Sequence, residues 1–274
     1  MTQPILFLNG RITPAGRERL ERLAPWHLKG KGVFETMRAE RGKVLFLREH
    51  LQRLSRGLRR LGIKAPCSLS EIRGVLAKML RQSRLSKARV RLTVWQEGRS
   101  RQVSVIVAAY RPCAPGQYRR GWKIAVCPRR LVAGKRDPAV KSIDHGFFHR
   151  ASALAVRQDR DDALILNQRD ELVECSRANL FFVKGRTLFT PSLACGCLRG
   201  ITRAAVLKLA RTLSLSCRQG RFHLADLLSA EEAFVTSSLI EVMPLTLVGD
   251  KRIGSGKRGR VTSNIMRKYR GLIN

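Results

Sequence analysis

Several short stretches of the chain hold side chains whose types and spacing suit covalent chemistry or anion binding. Lys141 lies beside the short apolar run 139–140. A lysine that is partly desolvated has a lowered pKa, and its neutral amine is then a nucleophile. The alternative is an ordinary solvated lysine, one of 14 in the chain.

A second candidate is Glu174, in the otherwise apolar stretch ELVECSRANLFF. Burying a carboxylate is costly unless it meets a partner such as a protonated nitrogen. Two interpretations stay open. Glu174 binds a protonated nitrogen of a ligand, or it forms a buried salt bridge with one of the many arginines.

Three further stretches are typical of phosphate binding. In LRGITR (198–203), a glycine precedes a predicted helix with Thr202 in its first turn, where exposed N–H groups and the helix dipole favour an anion. In VTSSLIEVMP, three consecutive hydroxyls at 236–238 end a predicted strand. Arg38 closes GVFETMR, and a guanidinium suits bidentate contact with phosphate. Each pattern is common, so none alone identifies a site.

The elements that position the first-half residues follow from periodicity. ILFLNGRI predicts two strands joined by an Asn-Gly turn, and GVFETMR and VLFL predict two more around Arg41-Gly42. Leucines spaced alternately by four and three residues, from Leu47 to Leu61, predict an amphipathic helix ended by Gly62. Ser70 is a candidate cap for a second helix. ARVRLTVW and VSVIVAAY predict two further strands.

The segment YRPCAPGQYRRG predicts a linker, because it is rich in Pro, Gly and Arg. With the boundary between Pro112 and Gly121, the domains are 1–115, an N-terminal α/β lobe, and 116–274, a C-terminal lobe. Beyond it, strands (KIAVC, DALILN, ELVEC, LFFV, TLFT) mix with helices (FFHRASALAVRQ, ITRAAVLKLARTL). DLLSAEEAFVTSS predicts a helix that leads into a strand. The predicted fold is therefore α+β (α/β) with two lobes.

Composition narrows the class of protein. The chain has 274 residues, 44% hydrophobic and 27% charged, which is typical of a globular protein and excludes a disordered or fibrous one. The N-terminus lacks a secretory pattern, and no run approaches the roughly 20 apolar residues of a membrane span, so we expect a cytoplasmic protein. The seven cysteines lack zinc-ligand spacing, so no metal is expected.

The charge is unusual, with 54 Lys and Arg against 20 Asp and Glu, a net charge of +34. Such an excess makes nucleic acid a candidate partner and predicts nonspecific polyanion binding at low salt. The basic residues are nevertheless spread along the chain without a basic tail or an aromatic-interleaved patch. A nucleic-acid-binding protein is therefore kept as the alternative class.

Taken in order, the motifs resemble those of the fold-type IV (class IV) pyridoxal-phosphate aminotransferases. This family includes branched-chain aminotransferases, D-amino-acid aminotransferases and 4-amino-4-deoxychorismate lyase. The resemblance runs from about residue 6 to residue 262. It rests on GVFETMR, HLQRL, KSIDHG, DDALILN, ELVECSRANLFFVKGRTLFTPSL, LRGITR and TSSLIEVMPL.

The resemblance implies pyridoxal 5'-phosphate as cofactor, with the C-terminal lobe (116–274) as the lobe that binds it, a small amino substrate and a homodimer. Lys141 occupies the position of the lysine that carries the cofactor covalently and moves the substrate proton. Glu174 occupies the position of the glutamate that pairs with the pyridine nitrogen. The positions that hold the cofactor phosphate correspond to Arg38, the backbone of Ile201 and Thr202, and the hydroxyls of Ser237 and Ser238.

Three positions depart from the family's usual pattern. Asp144 and His145 stand where Asn and then Tyr or Leu are common, so His145 either replaces a tyrosine near the cofactor hydroxyl or faces solvent. Lys31 stands where an acidic residue is common. Thr36 stands where branched-chain enzymes carry Gly, and this threonine is similar to the lyase, in which it is thought to assist pyruvate release. The lyase is the expected activity, and a branched-chain or D-amino-acid aminotransferase is the alternative.

Overall fold

The computed structural model describes residues 3–132, 134 and 137–273. The chain forms two compact units, one of Met1–Pro112 with Ala139–Gly146 and the other of Cys113–Pro138 with Phe147–Asn274. The segment that carries Lys141 therefore packs with the first unit, although it follows more than twenty residues of the second. A single cut at residue 115 does not describe this arrangement.

The first unit is built on one antiparallel sheet, whose strands follow the order β2-β1-β6-β5-β3-β4. Its strands are β1 (Ile5–Leu8), β2 (Arg11–Pro14), β3 (Lys31–Glu40), β4 (Lys43–Val44), β5 (Lys87–Glu97) and β6 (Ser100–Ala109). Its helices are α1 (Arg17–Arg22), α2 (Leu47–Arg60) and α3 (Leu69–Ser83). The structure confirms the predicted Asn-Gly turn between β1 and β2, the predicted strands β3, β5 and β6, and the predicted amphipathic leucine helix, α2.

One face of this sheet forms the core with α2 and α3. Strand residues alternate between the two faces, so Val33, Met37 and Ala39 of β3 lie on the same side as Val90 and its neighbours on β5. These side chains are buried against the leucines of α2 and the apolar stripe of α3. The side chains at the intervening positions of β3 and β5 lie on the opposite face of the sheet.

Two local predictions in this unit are wrong. The cap of α3 is Ser68, not Ser70, because Ser68 accepts from the Glu71 N–H while the Glu71 carboxylate accepts from the Ser68 N–H. Of VLFL (44–47), only Val44 lies in a strand, β4. Phe46 adopts a left-handed conformation (φ 54°) as the N-cap of α2, so the chain turns into the helix where a strand was predicted.

The second unit contains a larger mixed sheet in the order β12-β11-β10-β13-β14-β7-β8-β9, with β15 beside β14. Its strands are β7 (Trp122–Val126), β8 (Asp162–Leu166), β9 (Leu172–Cys175), β10 (Asn179–Lys184), β11 (Thr187–Pro191), β12 (Ser216–Gly220), β13 (Glu232–Ser237), β14 (Glu241–Val248) and β15 (Lys251–Arg252). Its helices are α4 (Pro115–Arg120), α5 (Gly146–Arg157), α6 (Ile201–Thr212), α7 (Leu224–Leu228) and α8 (Arg260–Ile273).

The sequence patterns missed five elements of this unit, namely α4, β12, β14, β15 and α8. The predicted linker contains the helix α4, which begins at Pro115 and buries Tyr118. The strand β12 is polar and exposed, so it lacks the alternation that predicts strands, and it pairs with β11. The C-terminal helix α8 was not predicted. Both units mix strands and helices, so the predicted α+β class is confirmed.

Within the described residues, no helix has the length and apolar character needed to cross a membrane.

Candidate active site

The face of the first unit's sheet that lies away from α2 and α3 carries the candidate reacting groups. On β3 this face holds Phe34, Thr36 and Arg38, which are spaced by two residues. Lys141 places its Nζ 4.7 Å from the centre of the Phe34 ring. The structure therefore brings Lys141, Thr36 and Arg38, all predicted from the sequence, to one face of one sheet.

Backbone hydrogen bonds hold the Lys141 segment against the edge of β3. The Phe34 N–H donates to the Lys141 carbonyl oxygen at 2.9 Å, and the Ile143 N–H donates to the Gly32 carbonyl oxygen at 3.0 Å. Between them Ser142 forms a bridge with Val33. The segment thus adds a short extra strand to β3, and the direction of the lysine follows from that pairing.

His145 is half-buried and packs on the same aromatic ring. Its ring centre lies 5.2 Å from that of Phe34, in an edge-to-face arrangement. Asp144, by contrast, is exposed. Of the two interpretations left open for His145, the structure disfavours simple exposure to solvent.

The other face of β3 anchors the strand through a buried ion pair. Glu35 receives hydrogen bonds from Arg53 Nε at 2.7 Å and from the Arg53 terminal nitrogen at 2.6 Å, and His50 Nδ1 lies 2.7 Å from its Oε2. Burial alone raises the pKa of Glu35, but the charge and hydrogen bonds of Arg53 and His50 lower it to about 2. This network ties β3 to α2 and so fixes the neighbouring Thr36.

Arg38 is buried and has partners within the unit. Its Nε donates to Glu40 Oε1 at 2.8 Å, and its guanidinium lies 5.4 Å from the centre of the Tyr110 ring. These contacts restrain the position of the guanidinium. A cation restrained in this way is suited to bind a phosphate with little further loss of side-chain entropy.

Two arginines on the same face were missed by the sequence reasoning. The register of β3 and β5 places Arg91 opposite Thr36 and Arg89 opposite Arg38. Arg91 stacks 5.7 Å from the Trp26 ring, and its buried Nε has no hydrogen-bond partner. Burial lowers the pKa of Arg91 to about 10, with a contribution from the charge of Arg89. The sequence feature that could have indicated these two arginines is the alternation in ARVRLTVW, which puts both of them on one side of the strand.

Polar groups without partners continue across this face. The register pairs Phe34 with Thr93, and Thr93 with Ser104 on β6. The hydroxyl oxygens of Thr93 and Ser104 are buried and have no hydrogen-bond partner. Buried polar groups are almost always paired, so a row of unpaired ones marks a surface that is suited to a polar ligand or to water.

In the second unit, Glu174 lies on β9 with only 5% of its surface exposed. Its Oε2 accepts from Asn179 Nδ2 at 2.8 Å and from the Leu198 N–H at 3.1 Å. Both of these donors, an amide and a backbone N–H, are neutral. Burial of a carboxylate is costly, so a protonated nitrogen beside it would be stabilised.

The start of α6 is arranged to bind an anion. Gly200 is the N-cap and provides no side-chain hydrogen bond to the first turn, where Ile201 and Thr202 present their N–H groups. The Thr202 hydroxyl is buried and has no partner. A Cβ on Gly200 would lie 1.9 Å from Asn179 Oδ1, so only glycine fits there. The predicted helix start after Gly200 is therefore present in the structure, and its binding of a phosphate stays a prediction.

The three consecutive hydroxyls stand at the end of β13. Thr236 is buried, has no hydrogen-bond partner and lies opposite Asn179 in the pairing of β13 with β10. Ser237 ends the strand and Ser238 follows it, and both are half-buried. Asn179, which contacts Glu174 and faces Gly200, was also missed. Its signal was its place in the strand that follows ELVEC.

The sequence of this chain is similar to those of known proteins. The family model described as amino-transferase class IV matches residues 32–248. A protein of Methanocaldococcus jannaschii named as a branched-chain-amino-acid aminotransferase is 30% identical over 97% of this chain and 96% of its own length. The aminodeoxychorismate lyase of Bacillus subtilis is 29% identical over 98% of this chain and 94% of its own.

The solved structure of the Escherichia coli branched-chain amino acid aminotransferase has the same fold. It superimposes with a TM-score of 0.88 and covers 98% of this chain and 94% of the other, at 24% identity. The fold extends over nearly the whole length of both chains.

Proposed function

Because the chain belongs to the class IV aminotransferase family, whose enzymes use pyridoxal phosphate, we propose that it is a 4-amino-4-deoxychorismate lyase. In this reaction pyruvate is released and 4-aminobenzoate remains. The observation that carries the proposal is the pairing of Thr36 with Arg91 on the sheet face that Lys141 covers. A hydroxyl and a desolvated guanidinium suit a second carboxylate of the substrate better than they suit an aliphatic side chain.

The described residues fit a phosphorylated pyridine cofactor. The uncapped start of α6, the unpaired Thr202 hydroxyl and the absence of room for a Cβ at Gly200 together form a cradle for a phosphate. We assign the phosphate to Arg38, the backbone of Ile201 and Thr202, and the hydroxyls of Ser237 and Ser238. Bound there, the cofactor supplies an electron-withdrawing ring.

Glu174 has the role of holding a proton at the ring nitrogen. Its carboxylate is buried, and the donors from Asn179 and Leu198 occupy one oxygen and orient the other. A carboxylate so placed accepts a hydrogen bond from a protonated pyridine and keeps it protonated.

Lys141 has the role of proton carrier. Its Nζ lies on the aromatic face of Phe34, where a cation is stabilised and where water is partly excluded. Lys141 would hold the cofactor covalently, and its free amine would remove the proton from the ring carbon that bears the substrate amine. The electron pair released by that C–H bond forms the new ring double bond as the C–O bond to the enolpyruvyl group breaks.

Thr36 and Arg91 act on the leaving group. The oxygen that departs takes the electron pair of the C–O bond, and the Thr36 hydroxyl is placed to assist protonation of the enolpyruvate to pyruvate. The positive charge of Arg91 balances the negative charge of the carboxylate on the enolpyruvyl group. Aromatisation of the substrate ring makes the elimination strongly downhill.

A branched-chain aminotransferase is the second candidate, favoured by the M. jannaschii relative and its name. A D-amino-acid aminotransferase would use the same lysine. The deciding experiment supplies aminodeoxychorismate and, separately, L-leucine, L-glutamate and D-alanine with 2-oxoglutarate. Formation of 4-aminobenzoate and pyruvate, slowed by Thr36→Gly, supports the lyase. Rapid 2-oxoacid formation from leucine without aminobenzoate overturns it.

We also propose that the protein is a homodimer and that it is located in the cytoplasm. Two-fold dimers are the commonest oligomers, and the family resemblance implies one here. Sedimentation at moderate salt should give a species of twice 30.9 kDa, and a 30.9 kDa species alone would contradict the dimer. Low salt should be avoided because the net charge of +34 favours repulsion or adhesion to polyanions.

A further inference from the structure

One buried amide joins the parts of the second unit's site. Asn179 begins β10 and is buried. Its Nδ2 donates to Glu174 Oε2 at 2.8 Å and to the Leu198 carbonyl oxygen at 2.9 Å. Both hydrogens of the amide are therefore used, one on the carboxylate and one on the segment that leads into α6.

The carbonyl end of the same amide faces the start of α6. Asn179 Oδ1 occupies the space where a side chain at Gly200 would begin, at 1.9 Å from that position. The backbone of Asn179 lies opposite Thr236 in the pairing of β10 with β13. One residue thus contacts the carboxylate, the helix start and the hydroxyl-bearing strand.

We propose that Asn179 is a positioning residue that sets the carboxylate of Glu174 at a fixed distance from the N-terminus of α6. The pyridine nitrogen and the phosphate belong to one rigid ring system, so their protein partners need constant spacing. Asn179 supplies that spacing. The proposal rests on the proposed role of Glu174 and does not depend on which reaction the enzyme catalyses.

The chemistry of an amide suits this position. An aspartate would place a second carboxylate beside Glu174, and like charges raise the pKa of one of the pair. An apolar residue would leave both the Glu174 oxygen and the Leu198 carbonyl with one donor fewer. Only a side chain with two hydrogens on one nitrogen serves both acceptors at once.

The chain offers a matched control in Asn167. Its Nδ2 donates to Glu171 Oε2 at 2.8 Å and to the Cys195 carbonyl oxygen at 3.3 Å, and both Asn167 and Glu171 are buried. The same set of contacts occurs there without a role in the site. Asn167→Ala therefore measures the cost of losing such an amide in the fold alone.

The test compares Asn179→Ala, Asn167→Ala and Glu174→Gln with the unaltered protein. Apo-protein is titrated with pyridoxal phosphate by absorbance, and the protonation of the ring nitrogen is read by NMR of cofactor labelled with nitrogen-15. Thermal unfolding gives the stability of each protein. We expect Asn179→Ala to weaken cofactor binding about tenfold, as loss of a hydrogen bond to a charged group does. We also expect it to shift the nitrogen signal in the direction that Glu174→Gln does.

Asn167→Ala should lower thermal stability and leave both cofactor measurements unchanged. If Glu174→Gln shifts the nitrogen signal and Asn179→Ala does not, the positioning role of Asn179 is overturned. If neither variant shifts it, the role of Glu174 fails and the inference fails with it. Should Asn179→Ala not fold, Asn179→Ser, whose hydroxyl donates only one hydrogen bond, is measured in its place and judged by the same outcomes.

Discussion

The Phe34 N–H donates a 2.9 Å hydrogen bond to the carbonyl oxygen of Lys141. This bond and the one from the Ile143 N–H to the Gly32 carbonyl oxygen hold the lysine carbonyl and the two residues that follow it against β3. An amine proposed to alternate between a covalent bond to the cofactor and proton transfer needs a backbone that is held in this way.

Lys141→Ala should abolish covalent attachment of the cofactor. The unaltered protein should show the visible absorbance of lysine-bound pyridoxal phosphate and retain the cofactor through denaturation after borohydride reduction. The variant should do neither. Lys123→Ala, at an exposed position of β7, is the control and should behave as the unaltered protein. Cofactor that stays covalently attached in Lys141→Ala would contradict the assignment.

Gly200→Ala should weaken cofactor binding by at least about tenfold, because the new Cβ would lie 1.9 Å from Asn179 Oδ1 and displace it or the start of α6. Overpacking of this kind costs about 1–3 kcal/mol of stability. Titration with pyridoxal phosphate and thermal unfolding measure both effects.

The control for Gly200 is Gly74→Ala in α3, where nothing lies within 4 Å of the added Cβ. This variant should be about 1 kcal/mol more stable, through helix propensity, and should bind the cofactor normally. Equal cofactor affinity in the two variants would refute the phosphate cradle at Gly200.

Arg91→Met should raise the KM for aminodeoxychorismate about tenfold or more and have a smaller effect on cofactor affinity. The guanidinium lies opposite Thr36 with its Nε unpaired, so a substrate carboxylate is its expected partner. Arg101→Met, at an exposed position of β6, is the control for loss of one positive charge. Steady-state kinetics in which both variants change KM equally would exclude a local role for Arg91.

Stability should fall at acid pH because of Glu35. Its pKa is lowered from 4.5 to about 2, so its contribution is fully present above pH 4.5 and is lost as the pH falls toward 2. The shift corresponds to roughly 3 kcal/mol. Thermal unfolding between pH 5 and pH 2.5 should show a steeper loss for the unaltered protein than for Glu35→Gln. Parallel curves would show that another group controls the acid transition.

Periodicity and local chemistry in the sequence were enough to predict many of the elements that hold the candidate site. The leucine spacing from Leu47 to Leu61 dictates one buried helix face, and it does so wherever that helix packs. The glycine before Ile201 likewise predicts a helix start open to an anion, because the first N–H groups of any helix lack partners. Such features depend on neighbours within a few residues.

Only the tertiary structure decided which distant residues share a surface. Thr36 and Arg91 are 55 positions apart, and their pairing follows from the register of β3 with β5, since a shift of one residue would send Arg91 to the opposite face. Asn179 meets Leu198 and Gly200 only after β9, β10 and α6 have packed. The sequence determines side-chain types and local periodicity, whereas register and packing determine their partners, because these depend on the free energy of the whole unit.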